Sequence, residues 1–565
     1  MASIVGKRQG GRTYYYLVES ARVAGQPRIV SQTYLGPAEA VAARLSQAGP
    51  GEPTRTRHRA FGDLAAAWAV LQRLELARIT DEVVAPRRAD ALASVGTYLA
   101  LATANRVVAP CSKQAFADWF TTTAGDRLVR LPNGALDHRR FWDAMGALSE
   151  QALRRIERAV VARMVAEFQI DLSGLVLDMT NFATYIDSAN PKAPIAQRGH
   201  AKQKRADLRL VGLGLVVATD GGVPVCSWAD PGNRPDVTQL AAIVGELVAR
   251  WQQLGAEPEQ LTLVYDAGQD SADNQATVAD SPLHFVGSLP PSDHPELLAV
   301  PRRRYRVVDQ AVFPGLTAFQ TRAEALGGTW RVVVTHSPTL HAKQVQGCEQ
   351  TLTGVARRLG ELGERLARGR TRRPRETVEA QVAQILKPRW VSRVVTWSLA
   401  GERPAALRLA WAIDVAARRA LEEESFGKRV LFTDRQDWPV AQVVAAYRSQ
   451  AEVEADFRQM KDPKVVSFSP LWHWTDQKIR VHVFCCVMAL AVARLLRREA
   501  ARAGLAMSVR ELLDRLAGIQ ETVLLYQGER GRPRARHLLT EMDSVQRRLY
   551  DLFGLAAYAP PAAVR

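Results

Sequence analysis

The sequence predicts an α/β protein: a mixed-sheet core, interrupted by an inserted, partly helical subdomain and preceded by a β-hairpin and a helical domain. Three observations predict it. Short apolar, β-branched runs recur between Gly174 and Leu289, separated by turn residues and one amphipathic stretch. Before them, from Phe61 to about Ile170, apolar residues recur at helical spacing. After Gly427 a strand-like run, Val430–Thr433, leads into a helical one, Val440–Lys461, as though the first pattern resumes.

In chain order, Thr13–Glu19 and Arg28–Leu35 read as two strands joined by a turn around Ala24-Gly25-Gln26, and the Gly- and Pro-containing stretch Ala48–Pro53 reads as a linker. In the helical stretch Leu64, Trp68, Leu71 and Leu74 share one face, as do Leu153, Ile156, Val160 and Met164, and Asp137 and Ser149 are candidate N-caps. Leu175–Asp178, Leu208–Thr219 and Val223–Trp228 follow as strands, the last two joined by a turn at Asp220-Gly221-Gly222. Val237–Leu254 is an amphipathic helix, then Leu261–Asp266 and His284–Leu289 are strands. Three strands, a helix, a strand, a helix and a strand match the element order of the ribonuclease H-like fold, a match of topology alone. Pro290 to about Gly427 exceeds what that order requires and reads as an insertion, with helices at Gln344–Leu366 and Val378–Ile385 around the basic stretch Arg368–Arg375. Ile479–Arg498 is apolar on nearly every side and reads as a buried helix, with a helical tail beyond. The expected segments are therefore 1–50, 54–170, 171–290, 291–427, 428–500 and 501–565.

Apolar residues make up 47% of the 565, enough for large cores, and Lys plus Arg outnumber Asp plus Glu 75 to 58, a net charge of +17. Such a surplus favours a polyanionic partner, since neutralising phosphates releases their condensed counterions. The five cysteines (Cys111, Cys226, Cys348, Cys485, Cys486) are odd in number and lack CxxC spacing, which argues against a disulfide framework or a zinc site. The start of the chain has no apolar core of the signal-peptide kind. The longest apolar run, Val483–Ala493, is too short to span a bilayer. A reduced, cytoplasmic protein without a membrane partner is expected.

Phosphoryl transfer on DNA needs carboxylates that converge on a pair of divalent cations. Asp178 ends the run LVLD and Asp266 ends LVYD, each where a buried strand would reach a sheet edge. Their neighbours Asp171, Asp187, Asp270 and Asp273 lie in more polar surroundings and fit less well. Taken alone, either Asp reads more readily as the cap of a turn or of the next helix. At about 100° per residue, Tyr447, Gln450, Glu454 and Lys461 fall on one face of the long helix, whereas Glu452 and Asp456 point away and read as solvent-facing charges.

Ala445–Lys461 (AAYRSQAEVEADFRQMK) resembles the Tyr-x2-Arg-x3-Glu-x6-Lys signature of insertion-sequence DDE transposases, with Tyr447, Glu454 and Lys461 in register and Phe457-Arg458 matching a dipeptide common within it. The flanks of Asp178 and Asp266 resemble the same family, as do Arg198–Asp207 and Arg480-Val-His482, all in the family's order over about residues 170–500. The resemblance implies a DNA transposase in which Asp178, Asp266 and Glu454 are catalytic and hold two Mg²⁺ ions, with Mn²⁺ able to substitute. It further implies contacts to double-stranded DNA (terminal inverted repeats and target) from Tyr447, Gln450, Arg458 and Lys461, and a homodimer in the synaptic complex. Gln450 departs from the signature's Arg and brings no charge to the phosphate that Arg would grip. The basic cluster His200, Lys202, Lys204, Arg205 and Arg209 lies close in sequence to Asp178 and is a candidate DNA contact, the alternative being a solvated hairpin. His473 and His482, flanked by tryptophans and an apolar helix, read as packing residues. Two other functions stay open: a catalytically silent DNA-binding derivative, and a metal-dependent nuclease without strand transfer.

Overall fold

The apolar runs between Gly174 and Leu289 pair into one end of a nine-stranded mixed sheet, and the computed structural model shows how the rest of the chain extends it. It describes residues 2–23, 26–46, 52–84, 91–199, 207–235, 238–253, 257–527 and 534–561. They form two units, one made of Val70–Lys113 and Gly134–Val509, the other of Met1–Ala69, Gln114–Asn133 and Arg510–Arg565.

The smaller unit holds two three-stranded antiparallel sheets. The first comprises β1 (Ala2–Gln9), β2 (Arg12–Val23) and β3 (Gln26–Pro37), one strand more than the hairpin expected. That additional strand is exposed along its whole length and shows no apolar alternation to reveal it. The second sheet joins β4 (Arg55–Ala60) to β16 (Gln520–Tyr526) and β17 (Arg534–Leu539). β4 lies at the start of the expected segment 54–170, just before its helical pattern begins at Phe61, and β16 and β17 lie within the expected helical tail. Glu521 on β16 is fully buried and is met by Arg127 at 2.5 Å, His537 at 2.7 Å and Arg59 at 3.3 Å. A carboxylate removed from water is tolerable only with such charge-assisted partners.

In the larger unit the strands are β5 (Gly174–Ala183), β6 (Leu210–Ala218), β7 (Val223–Pro231), β8 (Thr262–Val264), β9 (His284–Leu289), β10 (Arg306–Val307), β11 (Thr317–Ala325), β12 (Gly328–His336), β13 (Val395–Ala400), β14 (Arg408–Ile413) and β15 (Lys428–Thr433). The sheet order is β10-β11-β12-β15-β9-β8-β5-β6-β7. β5, β6 and β7 run antiparallel, β8 and β9 run parallel to β5, and every later pairing is antiparallel. β5 and β6 are buried on both faces, which is why they read as nearly continuous apolar runs. β7 is an edge, but the carbonyls of Val225 and Ala229 accept from Arg250 (2.7 Å) and Arg480 (3.0 Å), which blunts it.

The helix Asp476–Arg502 packs against β7 and against the helix Val95–Val108. By length and composition it could cross a bilayer, unlike the shorter apolar run seen in the sequence, but 94% of its apolar window is buried within the protein. Asp137 and Ser149 cap their helices as expected, accepting from the backbone N–H of Arg139 and Ala152. The expected insertion divides in two. Its first part supplies β10–β12 to the main sheet, and the remainder folds the helices Pro338–Ala367, Arg375–Leu386 and Val415–Ser425 with the β13–β14 hairpin around their own core, which includes Leu359, Val382 and Leu407. All five cysteines are free thiols.

Glu521→Ala should destabilise the protein by about 2 kcal/mol, because it removes the charge-assisted bonds of half-buried Arg127 and His537 to a fully buried carboxylate. Urea unfolding of the full chain followed by circular dichroism measures this, and an unchanged midpoint would show that these bonds contribute nothing.

Candidate active site

β5 and β8 are paired in parallel with Val176 opposite Val264. Asp266 keeps an extended backbone (φ −97°, ψ 163°), so the same register sets Asp178 beside it two residues on. Neighbouring strands lie about 4.8 Å apart, and continuing the register two residues puts both positions on the same face of their strands. Asp178 does not end its strand, as the sequence suggested. β5 continues to Ala183, and Asp178 sits where the neighbouring β8 has already stopped, which opens that side of it. Asp178 is half-buried and accepts from the N–H of Met179 at 2.7 Å. Asp266 is exposed, and its Oδ1 accepts from Ala267 N–H (2.8 Å), Ser288 Oγ (2.9 Å) and the Tyr447 hydroxyl (3.4 Å).

Glu454 stands on the helix Gln450–Met460. The single helix expected over Val440–Lys461 is two, Val440–Arg448 and Gln450–Met460, interrupted at Ser449, whose hydroxyl bonds the Ala446 carbonyl. A serine that turns back on its own helix competes with the helical backbone bonds, an effect periodicity does not register. Tyr447 and Gln450 are buried and Glu454 exposed, yet all three line one pocket of about 440 Å³, together with Arg448, Arg429 and Lys343. At the far end Lys461 Nζ lies 3.3 Å from Thr180 Oγ1 and 5.8 Å over the Phe182 ring. Asp178, Thr180 and Phe182 alternate on one face of β5, so the glutamate helix covers the face that carries Asp178. Arg458 is exposed, its Nε 3.5 Å from the Glu454 carbonyl.

Two acids expected to face solvent do the reverse. Asp456 is fully buried and paired with Arg494, and Glu452 Oε2 meets Arg494 at 3.0 Å and Arg497 at 3.3 Å. The periodicity placed them correctly on the far side of the helix, but the helix Asp476–Arg502 occupies that side and supplies the cations. The fit is close enough that a Cβ at Gly222 would lie 3.0 Å from Glu452 Oε2.

The β5–β8 register thus sets Asp178 and Asp266 at matching positions, and Glu454 lines the pocket that Tyr447, a partner of Asp266, also lines. Among the described residues no three His, Cys, Asp or Glu side chains are close enough to share one ion. Two adjacent carboxylates are nonetheless the hard-oxygen donor set that magnesium takes. A further acid, passed over in the sequence as too polar in its surroundings, lies near Asp266. Asp270 follows the 3₁₀ turn Ala267–Gln269, and neither of its carboxylate oxygens has a hydrogen-bond partner. Burial, with Asp266 and Asp293 nearby, pushes its pKa up to about 7. The spacing of Asp266 and Asp270 across one short turn is the signal that could have found it. His200, Lys202, Lys204 and Arg205 lie outside the described residues, while Arg209 is buried and spends its guanidinium on backbone carbonyls of 187–196. His482 is buried with Nε2 2.8 Å from the Phe468 carbonyl, and burial pushes His473 down to about 3, so both are neutral packing residues.

No family model and no curated protein matches the chain. Among solved structures it is similar to the one described as a cryo-EM structure of a piggyBac transposase synaptic complex with hairpin DNA, with a TM-score of 0.38 and 9% identity over 91% of this chain and 89% of that one. A superposition this loose carries no correspondence between residues.

Asp270 yields a pH prediction. Its carboxyl titrates near 3.9 when unfolded and near 7 when folded. Between those values the native state binds the extra proton, so stability falls as pH rises through that window and stays lower above it. Asp270→Asn should therefore raise the Tm measured in chelator at pH 8 by several degrees more than at pH 5. Equal shifts at the two pH values would show that Asp270 is ionised throughout.

Proposed function

We propose that the chain is a DNA transposase of an insertion sequence, which binds terminal inverted repeats and catalyses two-metal-ion strand cleavage and strand transfer. One observation carries the reading: Asp178 and Asp266 emerge in register from adjacent parallel strands, beneath a helix that bears Glu454. Paired carboxylates repel one another, and a divalent cation turns that cost into affinity. The run β7-β6-β5-β8-β9, antiparallel through β5 and parallel beyond it, supports a ribonuclease H-like core. The signature Tyr447, Glu454 and Lys461 supports the assignment to DNA.

In this role Asp178, Asp266 and Glu454 would hold two Mg²⁺ ions, which Mn²⁺ could replace. When bound, such ions stabilise charge on the attacking and leaving oxygens of an in-line displacement. Ser288 and Tyr447 fix the orientation of the Asp266 carboxylate through its Oδ1. Lys461, Arg458 and Gln450 meet the DNA backbone, and His200, Lys202, Lys204 and Arg205 add positive charge for the same partner. Hydrolysis of one strand frees a 3′-hydroxyl, which then attacks a target phosphodiester, one P–O bond forming as another breaks. Holding two ends together requires two copies of the chain, and a homodimer suffices.

The reading is tested on a labelled duplex that carries the inverted repeats flanking the gene. Asp178→Asn, Asp266→Asn and Glu454→Gln should each reduce Mg²⁺-dependent nicking and joining to background, with duplex binding held within a few-fold, since each removes a charged ligand and keeps side-chain volume. Near-normal turnover in either aspartate variant would end the assignment. If Glu454→Gln alone stays active, the third ligand is not Glu454, and Asp270 is the next acid to substitute.

A further inference from the structure

The pocket beside Glu454 carries a charge pattern that carboxylate chemistry does not explain. Three cations line it from three elements: Lys343 on the helix Pro338–Ala367, Arg429 on β15 and Arg448 at the end of Val440–Arg448. The lone acid in its wall is Glu454. None of the three cations has an ion-pair partner among the described residues, whereas the arginines of the buried helix Asp476–Arg502 are paired, Arg494 with Asp456 and Arg498 with Asp220. Arg448 lies 4.6 Å over the Phe313 ring, and its pKa is lowered by burial and by the charge of Arg429. Two guanidiniums held close enough to repel, with no carboxylate between them, cost free energy that an anion between them returns.

Arg429 also connects this pocket to the acids. Its Nη1 donates to the Tyr447 hydroxyl at 3.1 Å, its guanidinium lies 5.5 Å over that ring, and the same hydroxyl is 3.4 Å from Asp266 Oδ1. The rest of its fork is left to bind an anion. Pocket and carboxylate pair are thus one tyrosine apart. Gln450, uncharged where the signature carries Arg, lines the same pocket.

We propose that this pocket is a phosphate subsite, in which Arg429, assisted by Arg448 and Lys343, holds one phosphodiester of the DNA strand next to the bond that is cut. The proposal rests on the reading of the chain as a DNA-processing enzyme. β15, and not the glutamate helix, then supplies the cation missing at position 450, and does so through a side chain tied to the carboxylate site. A guanidinium suits the task because its fork binds two phosphate oxygens at once.

The test is equilibrium binding of the full chain to a fluorescein-labelled 40-base-pair duplex across a salt series. Wild type is compared with Arg429→Gln, Arg429→Lys, Arg448→Gln and the double glutamine variant, and with Arg358→Gln, which removes the same charge from an exposed position on the Pro338–Ala367 helix. Each phosphate contact contributes about 0.9 to the slope of log K against log salt. Arg429→Gln should flatten the slope by roughly that amount and the double variant by about twice it. Arg429→Gln should also weaken binding roughly tenfold, as loss of a charge-assisted bond does. Arg429→Lys should keep the slope and lose affinity, and Arg358→Gln should change neither. Slopes that coincide for wild type and the double variant overturn the subsite while leaving the DNA reading intact, and equal flattening by Arg358→Gln does the same. A wild type that does not bind the duplex at low salt overturns both. Should Arg429→Gln fail to fold, Arg448→Gln carries the same comparison from an exposed position.

Discussion

The position of the helix that carries Glu454 depends on one buried ion pair. Arg494 is 4% exposed and Asp456 fully buried, so their attraction acts in a medium far less screening than water, and neither could stay charged there alone. Arg494 also bonds the side chain and the backbone carbonyl of Glu452, so one guanidinium grips a full turn of the glutamate helix. Glu454 lies between the two gripped residues. Four residues further along the same buried helix, Arg498 binds Asp220 in the β6–β7 turn and the Phe168 carbonyl. The sheet edge and the glutamate helix are thereby referenced to a single rigid rod. Buried ionic contacts of this kind contribute little net stability against an apolar substitute, but they admit few alternative arrangements.

Around that frame the charges are sorted. Asp266 and Asp270 lie close enough beyond β8 for one charge to act on the other, and cations without ion-pair partners line the pocket next door, with the Tyr447 hydroxyl accepting from Arg429 and donating to Asp266. The chain's surplus of positive charge is therefore not a diffuse property of its surface. Part of it is concentrated within reach of the carboxylates, where a substrate that brings its own negative charge would meet both.

What the sequence disclosed and what it withheld follow from the range of the interactions involved. β5, β6, β8 and β9 were legible because each buries a continuous apolar run, and Asp178 and Asp266 because a lone acid interrupts such a run. Their adjacency followed from element order. Glu454 was legible through the periodicity of its own helix. The partner of Asp456 was not, because Arg494 lies 38 residues away and nothing local distinguishes a buried acid on the rear of an amphipathic helix from a solvated one. Arg429 stayed hidden for the same reason, one arginine among many until a strand brought it to Tyr447. β11, with its alternation of Gln320, Arg322 and Glu324 against smaller residues, looked like part of an independent insertion. Its place in the main sheet is fixed by β12, whose other edge pairs with β15 some hundred residues on. Ser449 broke a helix whose apolar pattern continued straight through the interruption.

The second sheet of the smaller unit has a consequence in time. Arg59 on β4 and Glu521 on β16 are 462 residues apart, and a ribosome adding roughly 5 to 20 residues per second needs about 20 to 90 s to cover that distance. Throughout that interval β4 has emerged and its partner has not, while every residue of the larger unit passes out of the exit tunnel and can fold. A strand left waiting so long is a hazard, since an unpaired edge recruits whatever strand it meets. The composition of β4 answers the hazard. Arg55-Thr-Arg-His-Arg-Ala60 is dense with positive charge and repels its like on neighbouring nascent chains until β16 arrives to pair with it and Glu521 to meet Arg59.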